Sequence, residues 1–187
     1  MSSNKSVLIT GGTVVNASGE VLADVMIDQG VVQEVGPNIS AKYAAENEGG
    51  PRRIDATSCV VTSAFVDLHT HLREPGREES ETIETGSRAA ALGGYGAVVA
   101  MPNTEPAQDS VAVVEFVRMQ GERAGLVDVV PSACITVNRA GLQLSPFHSL
   151  AHNGVTLYTD DGNGVQDPVI MRRAMEYAKE LNITLMQ

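Results

Sequence analysis

His69 and His71 stand two residues apart at the end of an apolar run, Ala64, Phe65, Val66 and Leu68, and Arg73 follows at once. In an extended strand, side chains i and i+2 point to the same face. The two imidazoles are therefore expected to project together at the end of a buried strand, where they can share one metal ion. A bare His-x-His is more often two unrelated polar residues at a strand end, so the pair needs company. Asp161, within Thr159-Asp160-Asp161-Gly162, offers a carboxylate from the end of a later strand. Two imidazoles and a carboxylate suit zinc, and the second carboxylate oxygen could bridge to a neighbouring ion. Such a centre makes water a nucleophile at neutral pH. Asp before Gly is also ordinary turn chemistry, and alone Asp161 reads as a turn before it reads as a ligand.

Two further side chains belong to the same set. Arg73 can present two parallel N–H groups to a planar carboxylate, or can form a surface ion pair with Glu74, Glu78 or Glu79. Asn103, in Met101-Pro102-Asn103-Thr104, offers an amide donor and acceptor from another strand end, or simply shapes the turn after Pro102. His148 and His152 fall in a short helix away from any strand end and read as solvated or structural.

The elements that position these residues follow from the apolar rhythm. Residues 6–35 predict a small β-meander, with short strands at 7–10, 13–15, 21–27 and 31–35 separated by Gly-containing turns. Residues 36–53 are polar and predict a surface loop, and 59–61 a last short strand. From residue 64 the pattern becomes strand, loop, helix. Strands are expected at 64–69, 97–101, 127–130 (continuing to 137), 155–158 and 183–186. Helices are expected at 81–92, ended by Gly93-Gly94, from an Asp109 cap to about 123, at 145–153, and from Asp167-Pro168 to 181. Repeated strand–helix units with continuously apolar strands predict a parallel α/β sheet. His69, His71, Asn103, Asp160 and Asp161 all fall just after strand ends, where an α/β barrel carries its active site. An open doubly wound sheet obeys a similar rule, but no Gly-x-Gly-x-x-Gly or phosphate-binding loop follows any strand.

Composition sets the outer limits. The 187 residues are 43% hydrophobic but only 4% aromatic, so Ala, Val, Leu and Ile must supply most of the core. A net charge of −10, with only Lys5, Lys42 and Lys179 as lysines, argues against nucleic acid as a partner. Cys59 and Cys134 have neither metal-type nor redox spacing and are expected to be a buried, reduced pair. The first residues lack the apolar stretch of a signal peptide, and no run approaches membrane-span length. A soluble cytoplasmic protein without membrane contact is the expectation.

Taken together, residues 67–76, Glu81-Thr-Ile-Glu-Thr-Gly86, Ala89-Ala-Ala-Leu-Gly-Gly94 and Met101-Pro-Asn-Thr104 closely resemble dihydroorotases, specifically the bacterial class I enzymes of the amidohydrolase superfamily. The resemblance spans residues 6–187. It implies a β-sandwich portion at 1–62 and, at 63–187, the first half of a metal-bearing (β/α)₈ TIM barrel that stops within its fifth strand. It implies His69 and His71 as ligands of the first of two zinc ions and Asp161 as the bridging carboxylate. Arg73 and Asn103 match positions that hold the substrate carboxylate. Many relatives bridge their metals with a carboxylated Lys on the fourth strand; this chain has no Lys there, which suits the class I pattern. The implied reaction interconverts dihydroorotate and N-carbamoyl-L-aspartate in pyrimidine synthesis.

The chain departs from that pattern in two places. Ser63-Ala64 replaces the usual Pro-Gly before Phe65, a tolerable change in an entry turn. A full barrel needs about 250 residues before any sandwich is added. Later metal-binding histidines and the catalytic aspartate that acts as general base are expected beyond Gln187, so these residues alone are expected to be inactive. The full-length protein is expected to be a homo-oligomer. An allantoinase or hydantoinase-type hydrolase is the nearest alternative; His-Leu-Arg and Met-Pro-Asn-Thr argue against it. A non-catalytic scaffold beside aspartate transcarbamoylase is a second, disfavoured by three retained ligands.

Overall fold

The computed structural model describes residues 6–43 and 50–187. It divides into two compact units, Met1–Ser63 and Ala64–Gln187.

In the first unit β1 (Val7–Asn16), β2 (Gly19–Asp28) and β3 (Val31–Gly36) form an antiparallel meander. The strand pair expected at 7–15 is one strand. Its Gly11-Gly12 dipeptide is a bulge rather than a break, because the register against β2 shifts between Ile9 and Gly12. A Cβ on Gly12 would lie 2.6 Å from Val61, which explains the glycine. β4 (Arg52–Asp55) and β5 (Val60–Val61) both add to β1 in parallel, extending the meander into a mixed sheet. The loop expected at 36–53 therefore gives way to a 3₁₀ turn at Ile39–Ala41 and an edge strand; residues 44–49 of it lie outside the described residues. The turn is anchored by buried Ile39, which packs on Leu8 and Met26. Buried Asp24 adds a polar tie, accepting from Gly11 N–H and Ser40 N–H, each at 3.0 Å. Burial pushes its carboxyl upward, but these hydrogen bonds, with the charge of Arg53 added, outweigh burial and hold it below the usual carboxylate range.

The second unit alternates β6 (Phe65–Thr70), α1 (Ile83–Leu92), β7 (Tyr95–Ala100), α2 (Val111–Ala124), β8 (Asp128–Pro131), α3 (Phe147–His152), β9 (Leu157–Tyr158), α4 (Pro168–Leu181) and β10 (Thr184–Leu185). β6, β7 and β8 pair in parallel, as do β9 and β10, and a parallel bridge from Ala133 to Tyr158 joins the two sets. Each strand thus lies beside its predecessor, and every strand end faces the same way. One core holds Leu72, Ile83, Val98, Ala100, Val117 and Val127. A second is built on Val114, Ile135, Phe147, Leu150, Tyr158 and Ala174.

Local chemistry moves several boundaries. β8 ends at Pro131 and does not run on to residue 137: Ser132 N–H still donates to the Ala100 carbonyl, but Ala133 N–H turns to the Leu157 carbonyl on the other side. Ser110, not Asp109, occupies the cap position of α2; the Asp109 carboxylate instead accepts from Asn138 N–H at 2.8 Å. Asp167 does cap α4, accepting from Val169 N–H at 2.7 Å with Pro168 in the first turn. Thr82 caps α1 through a reciprocal pairing with Thr85. β6 is not buried as its apolar run suggests. It is an edge strand of its sheet, and Phe65, Val66 and Leu68 are exposed. Cys134 is buried but Cys59 is exposed, so the two thiols do not form a buried pair. Among the described residues no helix is long and apolar enough to cross a membrane.

Candidate metal centre

β6 delivers His69 at its penultimate position, and His71 follows just past its end. Their rings meet edge to face with centroids 5.1 Å apart. Asp161 arrives from the turn after β9. It has φ 52°, a left-handed conformation, and its N–H donates to Thr159 Oγ1 at 2.9 Å. That twist turns neighbouring carboxylates in opposite senses. Asp160 points inward, 1% exposed, and accepts from Thr136 N–H at 3.0 Å and from the Thr136 hydroxyl. Asp161 points outward to the histidines: its Oδ1 lies 3.2 Å from His69 Nε2 and 3.9 Å from His71 Nε2.

One ligand atom from each of His69, His71 and Asp161 lies within 4.8 Å of the others, so the three can hold a metal ion. Two imidazole nitrogens and one carboxylate oxygen are the donors that borderline divalent ions such as zinc accept, and a site needs a further ligand to be complete. Cys134 adds none. Burial, and then the fields of Asp160 and Asp109, push its thiol up, so it stays protonated, and it faces the Pro102 carbonyl at 3.8 Å.

Asn103, from the end of β7, reaches into the same cluster. Its Oδ1 is 2.9 Å from His71 Nδ1, and its Nδ2 donates to Asp161 Oδ2 at 2.9 Å. Arg73 does not join these contacts. It has φ 63°, its side chain is partly buried, and among the described residues none of Glu74, Glu78 and Glu79 pairs with it. Glu74 is occupied elsewhere, accepting from Ile83 N–H at 2.8 Å and Gln120 Nε2 at 3.0 Å. The loops after β6 and β7 are clasped: Glu105 N–H donates to the Pro75 carbonyl at 2.9 Å, and a Cβ on Gly76 (φ 105°) would stand 2.4 Å from the Glu105 carbonyl oxygen. His148 faces Glu180 at 3.7 Å and the ring of Tyr177, and His152 bonds the His148 carbonyl, both on α3 and apart from the cluster.

Arg139 escaped the sequence reading. Its Nη1 lies 4.0 Å from Asp161 Oδ2, and its buried Nε has no partner among the described residues. It reaches the site because Asn138 and Arg139 are both left-handed and because Thr136, gripped by Asp160, fixes the start of their loop. The polar pair Asn138-Arg139, with Gly141 close behind, directly after a strand region was the available signal.

A sequence profile of the dihydro-orotase-like family matches residues 58–187, most of the chain. The chain belongs to that family. Among relatives of this dihydro-orotase-like chain, the dihydroorotase of Mycobacterium tuberculosis is 47% identical over 185 residues, covering 97% of this chain and 41% of that protein. The dihydroorotase of Streptomyces coelicolor is 46% identical over 177 residues, covering 94% and 39%. The chain thus spans about two-fifths of the length of the curated relatives it matches. In fold it is similar to the L-hydantoinase (dihydropyrimidinase) of Arthrobacter aurescens, with TM-score 0.73, 18% identity and coverage of 96% of this chain and 39% of that one. The dihydropyrimidinase of Brevibacillus agri gives TM-score 0.68 at 24% identity, covering 96% and 39%. Dihydro-orotase-like and hydantoinase chains thus share this mixed α/β fold.

Proposed function

We propose that the chain is the N-terminal portion of a class I dihydroorotase that interconverts (S)-dihydroorotate and N-carbamoyl-L-aspartate. The observation that carries this reading is the convergence of His69, His71 and Asp161 from two strand ends of a dihydro-orotase-like chain. The parallel strands in sequence order are read as an arc of a (β/α)₈ barrel, preceded by part of a β-sandwich.

In this reading His69 and His71 would be ligands of the first of two zinc ions, with Asp161 as the carboxylate shared with the second. Bound zinc would polarise the scissile ring carbonyl and lower the pKa of water. Arg73 holds the substrate carboxylate with its two N–H groups, aided by an Asn103 amide hydrogen. Water adds to the ring carbonyl carbon, the C–N bond breaks, and the departing nitrogen takes up a proton to leave the carbamoyl group. The general base and further ligands are assigned to parts of the family's length outside these residues. The whole protein is read as a cytoplasmic homo-oligomer, with aspartate transcarbamoylase as a candidate partner.

The test is to express the complete coding sequence, measure bound zinc, and assay ring opening of dihydroorotate, hydantoin and allantoin. Turnover of dihydroorotate with bound zinc is expected. Turnover confined to hydantoin or allantoin would overturn the substrate assignment, and neither zinc nor turnover would leave a non-catalytic homologue.

A further inference from the structure

We propose that Asn103 is a positioning residue of the metal centre, setting the tautomer of His71 and the orientation of Asp161 together. This rests on the metal reading above and gives Asn103 a role beyond its contact with substrate. Donor and acceptor types force the arrangement. An ionised carboxylate only accepts, so the Asn103 nitrogen must face Asp161 Oδ2 and the amide oxygen must face His71. That oxygen can only accept, so His71 Nδ1 must carry hydrogen. In the neutral ring Nε2 then keeps its lone pair, and Nε2 is the atom turned toward Asp161 Oδ1. One amide therefore prepares two ligands: it aims the His71 lone pair, and it occupies Oδ2 so that Oδ1 faces the imidazoles.

Asn103 can do this because its platform is fixed. Met101 N–H donates to the Thr70 carbonyl at 2.9 Å, Gln108 N–H to the Pro102 carbonyl at 3.1 Å, and buried Gln108 Nε2 to the Met101 carbonyl at 2.8 Å. The backbone that leads into Asn103 is therefore already ordered, and only the side-chain torsions remain to be set when the amide spans its partners. His69 has no such support at Nδ1 among the described residues: its Nε2 faces Asp161 Oδ1 at 3.2 Å, and its backbone N–H donates to Asp67 Oδ1 at 3.0 Å. Its side chain is also more exposed, 51% against 29% for His71. The centre therefore has one pre-aimed imidazole and one adaptable one.

Loss of such an orienting partner typically lowers metal affinity about 10- to 100-fold. The experiment uses the protein as its gene encodes it, in wild-type, N103L, N103S and R73A forms. Zinc dissociation constants are measured by chelator competition, and the His71 tautomer is read from ¹⁵N shifts of the metal-free proteins. N103L and N103S are expected to bind zinc about 10- to 100-fold more weakly and to lose the Nδ1–H preference of His71. R73A, which touches neither ligand, is expected to keep both and to raise KM for dihydroorotate alone. Melting of the metal-free forms identifies any variant that fails to fold, and N103S, smaller and polar, then stands in for N103L. Wild-type zinc affinity and His71 tautomer in a folded Asn103 variant, with only KM raised, would overturn the positioning role and leave the metal reading intact. A wild-type protein that takes up no zinc would overturn both.

Discussion

Asp24 in the β unit and Asp161 in the α/β unit are both shielded carboxylates, yet they are satisfied in opposite ways. Asp24 takes backbone N–H groups on both oxygens, from Gly11 and Ser40. Those donors belong to the fold and cannot leave without unmaking it. Among the described residues the Asp161 carboxylate is met by side chains alone: His69, His71, Asn103 and Arg139. Side chains can be exchanged for an ion or a substrate at the cost of a rotamer change. Asp160, next in sequence to Asp161, stands between the two, fully buried with a Thr136 N–H on one oxygen and the Thr136 hydroxyl on the other. The contrast teaches that a buried acid is a support where the backbone saturates it, and a working group where it does not.

Substitutions can sharpen or break that contrast. The largest stability loss is expected for Asp160→Ala, because it strands two buried Thr136 donors and frees the loop that carries Arg139. Urea unfolding should show a loss on the order of 3 kcal/mol. Asp24→Asn comes next, at about 2 kcal/mol near neutrality, since one acceptor oxygen becomes an NH2 that cannot accept from the backbone N–H it meets. Because folding lowers the Asp24 carboxyl below 3.8, its stabilisation is complete above the ordinary carboxylate range and fades as pH falls through the folded value. The gap between wild type and Asp24→Asn should therefore close in acid. Asp167→Ala removes a helix cap and should cost about 1 kcal/mol by the same measurement. Asp161→Asn should change metal-free stability least, within about 0.5 kcal/mol, while abolishing zinc uptake. A large loss of metal-free stability there would erase the distinction between the two kinds of acid.

The same distinction explains how far the sequence could be read. The strand–helix order from residue 64 was legible because apolar runs end in unmistakable signals, such as Gly93-Gly94 and Asp167-Pro168. β4 was not, because all its residues are exposed and its pairing with β1 is a matter of backbone alone. The exposure of β6 was hidden too, since apolar content reports what a strand can bury and not what covers it. At the site, His69, His71, Asn103 and Asp161 were recognisable as strand-end polar residues. The link from Asn103 to Asp161 spans 58 residues of chain and exists only once the sheet is assembled. Arg139 depends on two successive left-handed residues, which no periodicity announces.

The clasp between the loops after β6 and β7 has an evolutionary corollary. With Gly76 pressed on the Glu105 carbonyl and the Glu105 N–H tied to Pro75, the two loops are joined at their crossing. Neither can lengthen, shorten or gain a side chain at the crossing without displacing the other. The loops that bear Arg73 and Asn103 should therefore drift as one inherited block, and a change of substrate among descendants of this chain would have to rewrite both together.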